Sequence, residues 1–383
     1  MLLLLAACSG PAGAPIHRGA AAPDWRSNRS AVLQAVSCAR TCIAVGTMRA
    51  PTNPAQVLGV QWRLGAWHRL RSLRGSGSLQ SISCLGRHFC MAVGSVGRHA
   101  LAERRQGGSW SPTILATSRR LGAVSLRSVS CSSVRSCVAV GSREKGNSTV
   151  PVVLEWNEPH WRTIDAMAGP KTGGGLQGVW CGRRSHCFAV GAANPPPYEG
   201  PLAGFSAMGR WRLGRPPSPP SSFIFDLRAI SCRRPEVCWA GGTYLPRSRR
   251  APQSLLLLDE LVHGRWHVAR SPYLSRPAQI NSVACLHSAA CGAVGFVQEG
   301  RRRPFRRAYD RTLALQWRRG QWTRSATWTP GRGPGAALTG VACVSPARCL
   351  AVGYSVSART GFDRPLAEVW NGHAWHRATV TSH

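Results

Sequence analysis

The chemistry of this chain rests on two residue types, cysteine and arginine. Fourteen of fifteen cysteines form seven local pairs: Cys38 with Cys42, Cys84 with Cys90, Cys131 with Cys137, Cys181 with Cys187, Cys232 with Cys238, Cys285 with Cys291, and Cys343 with Cys349. Thiols at such spacing either oxidise to disulfides or hold a metal. Structural zinc sites use gaps of about two to four residues and need two pairs to converge on one ion. Six of these pairs enclose five residues and the first encloses three, so local disulfides formed outside a reducing cytosol are the expected outcome, with no metal and no cofactor.

Arginine supplies the charge. The chain carries 49 basic against 15 acidic residues, a net charge of +34, with only Lys145 and Lys171 as lysines. A base composition that favours arginine codons accounts for part of this excess. Such a field draws polyanions in a salt-dependent way: acidic polysaccharide, teichoic acid, anionic lipid headgroups or, less favoured here, nucleic acid. Two clusters stand out. Arg247, Arg249 and Arg250 form one, and Arg301, Arg302, Arg303, Arg306 and Arg307 the other, with Phe305 interleaved. Guanidinium forks bind phosphate and carboxylate bidentately, and an adjacent aromatic ring can stack a sugar or base. These nine residues are the candidate ligand-binding set.

No catalytic residue is assigned. Glycosidases need two carboxylates placed across one sugar bond, and acids are scarce in this chain. Tyr198-Glu199 imitates a sialidase Tyr and Glu pair without the Arg-Ile-Pro segment that accompanies it, and the zincin, nucleophile-elbow and phosphate-loop patterns are missing.

The elements that must position these groups recur with the cysteines. Each pair sits in one phrase, as in Ser128-Val129-Ser130-Cys131 followed by Cys137-Val138-Ala139-Val140-Gly141. First cysteines recur at intervals of 46 to 58 residues, the mark of stacked supersecondary units. In the third unit, segments 126–131, 137–141, 150–156 and 161–164 read as four short strands. A turn between two aromatic positions closes the unit, from Trp62 to Trp67, Trp156 to Trp161, Trp317 to Trp322 and Trp370 to Trp375. Only the closing tryptophan is kept at Trp110, Trp211 and Trp266. These tryptophans are expected in the core.

Together the Val-x-Cys strand, the Cys-x-Ala-Val-Gly strand and the Asn-Gly-x-x-Trp turn resemble the BNR or Asp-box repeat of sialidase-like propellers. The match is nearest to photosystem II assembly-factor-like propellers, in which an aromatic or glycine usually replaces each cysteine. The resemblance spans roughly residues 30–380. It implies an all-β fold, a seven-bladed β-propeller of four-stranded antiparallel blades, to which the cysteine spacing adds one disulfide per blade. The Asp of Ser-x-Asp-x-Gly-x-x-Trp is missing from every unit, so no activity follows from it.

Leu5-Ala6-Ala7-Cys8 resembles the lipobox of bacterial lipoproteins, which implies lipidation at Cys8. The apolar run is short and lacks a basic n-region, which a start codon placed too late would explain. Residues 1–8 are read as this signal, 9–23 as a flexible tether and 24–383 as the propeller. No apolar stretch reaches the ~18 residues that span a bilayer, so a lipid is the expected anchor.

In a four-stranded meander the first and third turns share one end of the blade. The cysteine turns and aromatic turns therefore make a uniform face, while length variation falls on the opposite face, in segments 47–54, 192–200, 214–222, 245–252, 296–312 and 355–364. Variable loops on a rigid scaffold are where binding usually resides. The combined reading is a non-catalytic exported protein, lipid-anchored or secreted, that binds an anionic envelope polymer or envelope protein through the Arg-rich variable loops. The alternatives are a sialidase-like glycoside hydrolase or lyase, and a scaffold used for shape alone. Asp24-Trp25-Arg26 is expected to pack beside the last blade and close the ring.

Overall fold

The structure is a computed structural model that describes residues 29–115, 122–164, 167–168, 173–182, 186–194, 200–207, 210–235, 237–247, 254–286, 290–300, 309–329 and 334–382. Among these, every regular element is a strand, and the strands form seven sheets in chain order. Blade 1 is Ser30–Ala39, Thr41–Arg49, Gln56–Arg63 and Ala66–Arg69, and blade 2 is Ser78–Leu85, Phe89–Val96, His99–Gln106 and Ser109–Leu115. Blade 3 is Val124–Ser133, Ser136–Lys145, Ser148–Asn157 and His160–Ile164, and blade 4 is Gly173–Cys181, Cys187–Asn194, Gly200–Ala207 and Arg210–Gly214. Blade 5 is Ser222–Arg234, Val237–Pro246, Leu255–Val262 and Arg265–Val268. Blade 6 is Ala278–Cys285, Cys291–Glu299, Tyr309–Arg318 and Gln321–Ser325, and blade 7 is Ala336–Ser345, Arg348–Val356, Asp363–Trp370 and Trp375–Arg377. The first strand of each blade packs beside the first strands before and after it, and that of blade 7 packs back on blade 1. The molecule is a closed seven-bladed β-propeller.

Each second strand is buried on both faces, which is why Cys-x-Ala-Val-Gly reads as a continuous apolar run. Cys42 and Ala44 pack toward blade 7, with Leu350 and Val352, while Ile43 and Val45 pack toward blade 2, with Leu79 and Ile82. The pattern repeats to give seven apolar clusters, one between each adjacent pair of blades. Closing tryptophans fill the outer part of these layers. Trp67 and Trp211 are fully enclosed, and Trp239 lies between Trp317 and Trp322, with ring centroids 4.5 and 5.2 Å away.

All seven expected disulfides are present, each between directly opposed residues of the first and second strands. Their Cα atoms are 3.9 to 4.1 Å apart, so each bridge pins the hairpin that contributes to both neighbouring interfaces.

Ring closure uses the C-terminal residues. Trp67 of the outer strand of blade 1 donates its N–H to Thr379 O at 2.9 Å, and Thr381 donates to Trp67 O at 2.8 Å, so Val380 runs parallel to that strand. Met167–Ala168 runs parallel to the outer strand of blade 4 in the same way. Residues 24–26, expected to close the ring, lie outside the described residues.

Three acids interrupt the apolar layers. Glu103, Asp259 and Glu368 occupy equivalent positions on the third strands of blades 2, 5 and 7, opposite Ala92, Ala240 and Ala351. All three are buried, and loss of hydration pushes each carboxyl up to about 7.

Candidate functional site

The first strand of every blade skips one residue in its pairing with the second, a β-bulge. The skipped residues are Gln34, Gln80, Arg127, Gln177, Arg228, Asn281 and Thr339, each four positions before the first cysteine of its unit. The bulge explains the glycine of Ala-Val-Gly. A Cβ on Gly141 would lie 2.0 Å from Ser125 O, and one on Gly295 would lie 1.8 Å from Gln279 O.

The seven skipped side chains meet on the propeller axis, where they line one cavity of about 280 Å3 together with Gln279, Ala337, Phe296 and Tyr354. Gln279 and Ala337 stand near the starts of their first strands, and Phe296 and Tyr354 near the ends of their second strands, so the cavity lies toward the variable-loop face. Adjacent edges are sealed by serine. Cys131 N–H donates to Ser83 Oγ at 3.1 Å, Cys181 N–H to Ser130 Oγ at 2.9 Å and Cys285 N–H to Ser231 Oγ at 3.0 Å, which satisfies edge-strand donors that would otherwise face the next blade unpaired.

Within the ring some groups are already engaged. Arg228 pairs with Asp226 at 2.7 Å, Gln80 Nε2 donates to Ser78 Oγ at 2.8 Å, Asn281 Nδ2 donates to Leu338 O at 2.9 Å and Thr339 Oγ1 donates to Leu33 O at 2.6 Å. Arg127 is exposed to the cavity and makes no ion pair among the described residues. Across the ring, Tyr354 has its hydroxyl pushed up by burial and then by the charges of Asp310 and Asp363. One side of the cavity is therefore cationic and the opposite side is not.

Of the nine residues singled out in the sequence, Arg247 is described and exposed at the start of the loop between the second and third strands of blade 5. Arg249, Arg250, Arg301, Arg302, Arg303, Phe305, Arg306 and Arg307 lie outside the described residues, as do Cys8, Tyr198 and Glu199. The division of faces holds: Glu158 N–H donates to Arg135 O at 3.1 Å, joining an aromatic turn to a cysteine turn, while Gln298 N–H donates to Pro277 O at 2.8 Å at the other end. Some arginines have structural partners instead. Arg104 of blade 2 stacks on Trp156 of blade 3, and Arg318 of blade 6 on Trp370 of blade 7, at 5.5 and 5.4 Å. The axial ring was not anticipated, although a polar residue four before every first cysteine was there to be read.

No family model and no curated protein matches the chain. Solved structures do. An acylaminoacyl peptidase of Pyrococcus horikoshii is similar at a TM-score of 0.53 and 9% identity, over 91% of this chain and 52% of that one. A YCF48 structure described as bound to D1 peptide is similar at a TM-score of 0.47 and 13% identity, over 79% of this chain and 81% of that one. The chain spans about half the length of the peptidase. At these identities the likeness shows the propeller fold alone.

Proposed function

We propose that this propeller is a non-catalytic, exported binding protein, held at the cell surface through a lipid on Cys8, whose variable-loop face engages an anionic envelope polymer or an acidic envelope protein. The observation that carries this reading is uncompensated positive charge. The chain bears +34, and among the described residues only five ion pairs form, four of them with a partner more than two-fifths exposed. Exposed pairs of this kind hold little energy, so the arginines within them remain available to an outside anion. Seven disulfides support residence in an oxidising compartment outside the cytosol. Hydrolysis has less support. The three carboxylates raised to about 7 sit on blades 2, 5 and 7, and no carboxylate is among the described residues lining the axial cavity.

Retention on immobilised teichoic acid tests the reading, with a neutral polysaccharide as reference. Retention is expected where the Debye length is ~30 Å, near 0.01 M salt, and is expected to vanish where it falls to ~3 Å, near 1 M. No retention at the lower salt would overturn it.

A further inference from the structure

We infer that the axial cavity is a subsite for a small monoanionic polyol acid of the uronic-acid type, its carboxylate on Arg127 and its hydroxyls on the ring of carboxamides. The inference rests on reading the propeller as a binding protein, and it names a ligand class for one place in it. The composition of the lining carries the argument. Gln34 and Gln177 each offer both a donor and an acceptor. Gln80, Gln279 and Asn281 keep part of their carboxamide capacity beside the bonds they already make, and Thr339, whose hydroxyl donates to Leu33 O, adds an acceptor, which together complement a sugar's hydroxyl groups.

Charge fixes the other half. Arg228 is neutralised by Asp226, which leaves Arg127 as the unmatched cation of the ring. Asp310 and Asp363 act on Tyr354 from the far side, so a second negative charge on the ligand would meet repulsion there. A single carboxylate, gripped bidentately by one guanidinium, fits this field better than a phosphate dianion. The volume of about 280 Å3 lies at the small end of the ~300–1,000 Å3 common to ligand pockets, which suits one sugar unit. Phe296 and Tyr354 at the mouth can lie against its ring face.

Titration calorimetry of the full, disulfide-intact chain with D-glucuronate is the test, at low salt and neutral pH. Binding is expected, with glucose at least tenfold weaker and Arg127→Gln at least tenfold weaker toward glucuronate. Gln80→Leu, which removes one carboxamide, is expected to weaken glucuronate several-fold. Unchanged melting temperatures show that both variants are folded. No heat with glucuronate, or equal binding by Arg127→Gln, would overturn the inference. Retention on teichoic acid without glucuronate binding removes this subsite and leaves the broader reading standing. Glucuronate binding without retention does the reverse. A hexuronate oligomer that competes better than the monomer identifies a polymer end as the natural occupant, and one that competes equally identifies the free sugar acid.

Discussion

An alanine methyl at Gly141 has nowhere to go, because the bulge brings Ser125 O to 2.0 Å of the position it would take. Relief requires the first strand to leave its bulge, which would also withdraw Arg127 from the axis. Gly141→Ala is therefore expected to lower stability by about 3 kcal/mol, the upper range for overpacking. Gly214→Ala, where no atom lies within 4 Å of the added methyl, is expected to be neutral, both changes being read by urea titration. The buried acids give a second prediction at this scale. Asp259 is raised from 3.8 to about 7 in the fold by loss of hydration. Below pH ~4 both states hold the proton and burial of the neutral group is harmless. As pH rises toward 7 the unfolded chain releases that proton and the folded chain keeps it, so stability falls and then levels off. Melting curves of Asp259→Asn and of the parent, followed from pH 4 to 8, are expected to diverge as pH rises, with the variant on top by an amount on the order of a few kcal/mol. A constant offset would contradict this.

The hairpin of first and second strands is the unit from which the rest is built. A bridge closing so small a loop stabilises by roughly 2 kcal/mol in the chain-entropy model. Replacing both Cys131 and Cys137 with alanine is expected to lower stability by about that amount, and full reduction of the chain to lower the melting temperature sharply. Ser83→Ala leaves Cys131 N–H without its acceptor and is expected to cost about 1 kcal/mol, read by the same titration. Much of this element was legible: strand order, cysteine pairing and the burial of Trp67 and Trp211 follow from period and residue type. The bulge was not. Segment 126–131 reads as simple alternation, under which Leu126 and Val129 would point to opposite faces. Both lie in the same cluster between blades 2 and 3, which a spacing of three permits only if one residue is skipped. The apolar residues three apart in every unit, Leu33 with Val36 through Leu338 with Val341, were that signal. The role of the serines was not legible either, because their use as acceptors depends on a neighbouring blade 46 to 58 residues away.

Seven such units close on themselves through Thr379 and Thr381 at the outer edge of blade 1, contacts that no local motif announces. The ring turns a repeated polar position into a single axial cavity that lies toward the strand ends from which the segments of variable length depart. Charge distribution is a property of this scale as well, since basic residues occupy both ends of the molecule and loop shape alone distinguishes one face from the other. The most direct measurement of which face works is arginine modification with phenylglyoxal in the presence and absence of teichoic acid, mapped by mass spectrometry. Arg247 and the arginines of segment 301–307 are expected to be shielded by the polymer, while Arg40, Arg87 and Arg135, exposed on the uniform face, react as before. Shielding confined to Arg40, Arg87 and Arg135, or shielding of none, would contradict the assignment of binding to the variable-loop face.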